Sequence, residues 1–214
     1  MKQLLLLSFF FSTSLLALAQ RDEHVVGSGN TIQFTQKVEA FTTIELRKMN
    51  VQVVVETGAD TYSVEVRIDD NLQQYLKISN EGSVLKLSMD PDYKRTGKWL
   101  SSNTTVITIK APKVENLINN GNTNIDILLS KQVTFHFTSN GNPDVIMKGE
   151  VRDFMLTTTG NSDIDASELV CETVTVSSNG NADIVLNAKE VVEKKMYGNY
   201  SLNNIQNKPA SKRW

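Results

Sequence analysis

Carboxylates recur at one place in a repeated phrase of this sequence, and chemistry would first be sought there. Asp144, Asp163 and Asp183 each stand three residues after a glycine, with Asp126 and Asp165 close by. Carboxylates at the turns of a repeat are hard oxygen ligands of the kind calcium takes. Calcium-binding nonapeptide repeats need a nine-residue period and a doubled glycine, and neither occurs here. The aspartates therefore read as turn residues that cap local N–H groups. Acid–base chemistry needs convergent groups such as paired carboxylates. Arg152-Asp153 is the only candidate pair in the repeats, and its place at a strand entrance reads more simply as a solvated corner. His136 alternates with Phe135 and Phe137, so it points outward if they point in, a weak position for a general base. Cys171 is the only cysteine. It excludes an intramolecular disulfide and, within ELVCETVTV, reads as a small core residue. No catalytic, cofactor-binding or metal-ligating set is assigned.

Two surfaces remain as candidates for binding. The first is the outward row of the repeat strands, with His136, Thr138, Thr157, Thr175 and Ser177. A flat sheet rich in hydroxyls and amides can hydrogen-bond glycans or flat partners, although Thr and Ser also suit any exposed strand. The second is the longest unpatterned segment, residues 90–103, which carries Tyr93, Lys94, Arg95, Lys98 and Trp99. Loops carry function disproportionately, and an aromatic with basic neighbours suits a sugar or an acidic polymer.

The elements that must position these residues come from a repeat. NGNTNI at Asn120, NGNPDV at Asn140, TGNSDI at Thr159, NGNADI at Asn179 and YGNYSL at Tyr197 place glycines at 121, 141, 160, 180 and 198, in steps of 20, 19, 20 and 18 residues. The corner pairs are Gly121-Asn122, Gly141-Asn142, Gly160-Asn161, Gly180-Asn181 and Gly198-Asn199. Glycine accepts positive φ and Asn tolerates the left-handed region, so each pair predicts a sharp turn. Ile125, Val145, Ile164, Ile184 and Leu202 follow four residues after the glycine. Phe135 and Phe137, Phe154 and Leu156, and Val174 and Val176 precede it with polar residues between them. That alternation is a half-buried strand. One rung cannot bury its apolar face alone, whereas stacked rungs ~4.8 Å apart make a continuous core. The pattern predicts an all-β chain whose C-terminal half is a parallel β-helix, or β-solenoid, with rungs of about 20 residues. A leucine-rich repeat shares the period but lacks its L-x-x-L-x-L pattern here.

Ahead of the repeats, TIQFTQ, FTTIELRK, NVQVVVETG, TYSVEVRI, SVLKLSM and TTVITIK read as strands. Leu72, Tyr75 and Leu76 sit at helical spacing after acidic residues, which predicts one short helix within residues 69–78. The first 19 residues combine Lys2, an apolar run and Ala17-Leu18-Ala19 in the pattern of a cleaved secretory signal peptide. The run is interrupted by Ser12, Thr13 and Ser14 and is short for a membrane span, and no later stretch is apolar enough to form a spanning helix. Removing 19 of 214 residues leaves 195, enough for one domain with a sizeable core. Without Lys2 the balance is 21 basic against 24 acidic residues, which gives no sign of nucleic-acid binding. The expected organisation is a signal peptide over 1–19, a leader and first strand over 20–37, and a single β domain over 38–206. That domain has strands over 38–110 and repeats over 111–206, and a basic tail follows over 207–214.

The order of parts carries a resemblance. F-x-x-I at Phe41 and Ile44 is followed by V-x-V-V-V-x-x-G from Val51 to Gly58 and by Asp-Asn-Leu at Asp70. I-x-A-P at Ile109 to Pro112 then precedes the Gly-Asn-x-Asp rungs. From about Val38 to Ile205 the chain resembles the auto-transporter adhesin head domain, the GIN family, of Gram-negative envelope proteins. The resemblance implies an all-β fold with a right-handed β-helical portion and brings no catalytic residues with it. No translocator barrel is read after the head, so an adhesin of this kind is expected to need another component to carry it to the surface. The expected function is an exported, non-catalytic binding module of the periplasm or cell surface, with a glycan or an envelope or host protein as ligand. The rivals are an envelope-associated structural protein with a protein partner and a polysaccharide-active β-helix enzyme.

Overall fold

The computed structural model describes residues 24–89, 99–102 and 104–207. The expected signal peptide, the loop residues Tyr93, Lys94, Arg95 and Lys98, and the tail beyond residue 207 lie outside the described residues. The chain is all-β. In order it forms β1 (His24–Val26), β2 (Thr31–Lys37), β3 (Thr43–Arg47), β4 (Gln52–Thr57), β5 (Ser63–Asp69), β6 (Leu76–Glu81), β7 (Val84–Met89), β8 (Trp99–Ser101) and β9 (Val106–Ala111). β10 (Asn116–Asn120), β11 (Asn124–Asn140), β12 (Asp144–Tyr197) and β13 (Tyr200–Asn204) follow.

Eleven of these strands share one mixed sheet that curls on itself. The pairs β2–β5, β5–β9 and β6–β7 are antiparallel. The remaining pairs of that sheet, which join β3, β4, β7, β9, β10, β11, β12 and β13, are parallel. The sheet as a whole is therefore mixed, and the parallel stacking that the 20-residue period predicts for the C-terminal half is seen as the parallel pairs among β10, β11, β12 and β13 rather than as a separate coil. The period governs the chain only from β10 onward. Before it, tight connections reverse the chain. Gly82, with φ 59°, lies in the turn of the β6–β7 hairpin, and so short a turn can join its strands only antiparallel.

The registers explain the core. On one wall, Leu85 pairs with Ile44, Ile44 with Leu117, Leu117 with Phe137, and Phe137 with Leu156, all buried. On the other, Ile107, Val53, Ile125 and Val145 form the same kind of row. β11 belongs to both walls: residues 124–128 pair with β4, and residues 136–139 pair with residues 116–119 of β10. Phe135 and Phe154 stack with ring centroids 5.9 Å apart. Each such fully buried side chain contributes roughly 1.5–3 kcal/mol relative to exposure.

Two local expectations change. The helix within 69–78 is one 3-10 turn, Gln73–Tyr75, and Leu76 and Ile78 pass into β6 opposite Met89 and Leu87. Only Leu72 of the apolar set is fully buried, so the spacing serves one anchor and a strand rather than a helical face. The leader, read as polar and Gly-rich, supplies β1, which pairs in parallel with β8. Trp99, read as a loop residue, is in that strand pair opposite His24.

The N-terminal segment is held by a polar clamp. The buried Asp69 carboxylate accepts from the Gly29 N–H at 2.8 Å, from Thr104 Oγ1 at 2.9 Å, from Thr105 Oγ1 at 3.4 Å, and from Ser102 Oγ. Burial alone would push its pKa up, but the Ser102 hydroxyl, the Gly29 amide and the two threonines outweigh it and hold the carboxyl below its ordinary value. Asn71 Nδ2 donates to the Val26 carbonyl, and the Ser28 N–H donates to Asn71 Oδ1.

Candidate functional site

The outward residues singled out from the sequence do gather on one face. His136 is exposed beside buried Phe135 and Phe137, and Thr138, Thr157, Thr175 and Ser177 are half-buried. His136 pairs with Met155 and Thr138 with Thr157, and Thr175 and Ser177 occupy the equivalent places one repeat on. The face also reaches into the N-terminal half, which the sequence reading missed. Asn116 lies between Thr43 and His136, and Ile118 lies between Glu45 and Thr138. Glu45 is bound by Arg47 at 2.6 Å. FTTIELR reads as a strand from its alternation, NLINN does not, and nothing in sequence says which strand stacks on which.

The corners stack directly. The side-chain carbonyl of Asn122 accepts the Asn142 N–H at 3.1 Å, that of Asn142 accepts the Asn161 N–H at 2.9 Å, and Asn181 Nδ2 donates to Asn161 Oδ1 at 2.9 Å. The Asn column is thus a ladder of amides. It is not there for left-handed backbone, since Lys48 is the sole positive-φ residue other than glycine among those described. Positive φ occurs at Gly160, Gly180 and Gly198 but not at Gly121 or Gly141, so the glycine column answers first to close approach of successive corners.

A second column escaped the sequence reading. Asn119, Ser139, Thr158 and Ser178 stand two residues before each glycine and point inward, all buried. Thr158 Oγ1 donates to Ser162 and Asn119 Nδ2 to the Gly121 carbonyl. Asn119 Oδ1, Ser139 Oγ and Ser178 Oγ have no protein partner among the described residues. The polar residue at this place in four repeats was the available signal.

The acidic column behaves differently from the turn caps expected of it. Asp144, Asp163 and Asp183 are exposed, and among the described residues their carboxylates accept no hydrogen bond. Asp165 does cap locally, accepting the Ser167 N–H at 2.9 Å, and its bonds to Ser167 lower its pKa. Asp126 accepts from Gln52 Nε2 at 2.9 Å. Among the described residues no three His, Cys, Asp or Glu side chains converge as metal ligands. Arg152 is engaged by its neighbour: Nε and Nη2 both donate to Asp153, at 2.9 and 2.8 Å, which raises the guanidinium pKa. Lys131 and Lys148 pair with Glu150 and Glu168 one repeat on, and those bonds raise both ammonium pKa values. Cys171 is buried, and desolvation pushes its thiol up to about 12.

A groove of about 390 Å³ crosses the last three corners, where Asn161, Asn181 and Asn199 alternate with Asp163, Asp183 and Ser201, and Tyr200 forms part of the lining. A second polar groove of about 320 Å³ lies at the opposite end of the stack, against Asn50, Gln52, Asn122 and Asn124. No helix among the described residues is long and apolar enough to cross a membrane.

Comparison with known proteins follows the same lines. A solved structure from Bacteroides fragilis, described as a putative adhesin, has a TM-score of 0.59 at 17% identity, covering 84% of this chain and 99% of that one. A putative adhesin from Parabacteroides distasonis has a TM-score of 0.45 at 15% identity, covering 83% and 100%. A putative lipid binding protein from the same species has a TM-score of 0.45 at 14% identity, covering 85% and 99%. A search of curated proteins finds no match. The first of these structures shows a shared fold. Residues 40–204 match the family model described as putative auto-transporter adhesin, head GIN domain, and this chain belongs to that family.

Proposed function

We propose that the protein is an exported, non-catalytic, adhesin-like binding module of the Gram-negative envelope, taking a glycan or a protein as ligand. The observation that carries this reading is the single outward face that runs from Thr43 and Glu45 through Asn116, His136, Thr138 and Thr157. Its hydroxyls and amides stand on a core of stacked strands filled by apolar side chains such as Ile44, Leu117, Phe137 and Leu156. Such a face offers many hydrogen bonds and no acid–base pair. The stacked corners and registers of about 20 residues support a β-solenoid for the repeats within one domain over 38–206, and the family resemblance supports its right hand. The leading 19 residues act as the export signal, and the head works in the periplasm or at the cell surface.

Protease shaving of intact cells, with a periplasmic protein as control, tests the placement. Digestion of the protein while the control survives is the result expected of a surface module. Protection would move the search to periplasmic partners. For the face itself, Thr138→Lys with Thr157→Lys should abolish attachment while leaving the melting temperature near wild type. Unchanged attachment would sink this face as the binding surface.

A further inference from the structure

We propose that the groove across the last three corners is a glycan site that takes neutral, hydroxyl-rich sugars, a reading that rests on the binding-module function. The amide ladder that ties Asn122 to Asn142, Asn161 and Asn181 stops there. Asn181 Nδ2 is used on Asn161, but Asn181 Oδ1 and the whole side-chain amide of Asn199 have no partner among the described residues. The same holds for the carboxylates of Asp163 and Asp183 and the hydroxyl of Ser201. These groups line one concavity of about 390 Å³, within the size range of small-molecule sites.

Each free group matches something a sugar presents. Carboxylates accept from vicinal hydroxyls in short, charge-assisted bonds, and the Asn199 amide donates to ring or hydroxyl oxygens. Asp183 pairs with Ser201 across β12 and β13, which sets acceptor beside hydroxyl at the ~4.8 Å spacing of adjacent strands. Tyr200 is 42% exposed at the lip of the groove. It supplies the aromatic face on which the apolar C–H side of a pyranose packs. It sits opposite Ala182, where earlier repeats carry the small or compact Thr123, Pro143 and Ser162, so the aromatic appears only where the stack ends. Two carboxylates and no Lys or Arg in the lining select against uronic and sialic acids.

The test uses the mature chain on an array of neutral and acidic oligosaccharides, followed by titration of the best neutral oligosaccharide against wild type, Tyr200→Ala and Asp183→Asn. Binding confined to neutral sugars, weakened about tenfold or more by each variant, is expected. Tyr200 is at an edge and the Asp183 carboxylate accepts no hydrogen bond among the described residues, so Asp183→Asn serves as the second probe should Tyr200→Ala fold poorly. Binding only to acidic sugars overturns the proposal, as does no sugar binding at all. Neutral-sugar binding that both variants leave unchanged also overturns it. The Thr138→Lys, Thr157→Lys attachment assay reads the binding-module function separately, so loss of the groove and loss of that function are distinguishable.

Discussion

The side-chain carbonyl of Asn142 accepts the backbone N–H of Asn161 at 2.9 Å, one repeat further along the chain. A residue that looks like turn chemistry is therefore a rung of an inter-repeat ladder, with Asn122 serving Asn142 in the same way at 3.1 Å. Replacing Asn142 by Ala removes the acceptor for Asn161 and the Asn142 Nδ2 bond to Asn122 Oδ1 at 3.3 Å, while its own N–H keeps Asn122. The expected cost is about 1–2 kcal/mol, the net worth of two such exposed bonds. Chemical denaturation reads it, and a variant as stable as wild type would mean that water replaces the amide without loss.

The glycine corners should be far less tolerant. A Cβ at Gly180 would collide with the Gly160 carbonyl oxygen, and one at Gly160 would collide with that of Gly141, each well inside 3.0 Å. Both glycines also have positive φ, 142° and 113°. Overpacking against backbone and left-handed strain each cost ~1–3 kcal/mol, so Gly180→Ala should lose roughly 2–5 kcal/mol. Ser177→Ala, on the wet face, should stay within about 0.5 kcal/mol. Equal losses from the two variants would mean that the corners are not in contact.

The inward polar column makes an opposite forecast. Ser139 Oγ is buried without a partner among the described residues, and an unsatisfied polar group costs ~1–3 kcal/mol. Ser139→Ala should therefore be neutral or stabilising in thermal unfolding. Clear destabilisation would indicate that an ordered water completes the site.

Much of this was legible in the residues. The alternation around Phe135, Phe154 and Val174 named the buried side of each strand, because a two-residue period has one answer once one face is apolar. The outward set His136, Thr138, Thr157, Thr175 and Ser177 followed from the same rule. Partnership was not legible. Nothing local tells Asn116 that it will lie beside Thr43, 73 residues away in the sequence, and that pairing is what extends the face. Asp69 was equally opaque: it reads only as an acidic residue ahead of the expected short helix, whereas its partners Gly29, Ser102, Thr104 and Thr105 come from two distant segments. The proposed glycan groove depends on where the ladder ends, which the repeat itself hides.

Cys171 should be silent in the native state. Its burial and raised pKa, about 12, leave almost no thiolate at neutral pH. A thiol-reactive dye should label it only at the rate of unfolding. Labelling at the rate of a free thiol would mean that the strand around ELVCETVTV opens locally.

The Asp69 clamp predicts an acid-sensitive N-terminus. Its folded pKa is below the ordinary value near 3.9. A group depressed in this way adds stability that is fully present above its unfolded pKa and is lost as pH falls through its folded pKa. Wild type should therefore weaken below about pH 4, as protonation removes the charge that Gly29, Ser102, Thr104 and Thr105 surround. Asp69→Asn should lose about 1.5–3 kcal/mol at neutral pH, the scale of a hydrogen bond to a charged group, and should show a flatter acid limb. Hydrogen exchange locates the effect: amides of β1 and Gly29 should lose protection first, because Asp69 and its neighbours Asp70 and Asn71 help hold that segment to the sheet. Were the acid limb of Asp69→Asn to match wild type, the titrating group would have to lie elsewhere.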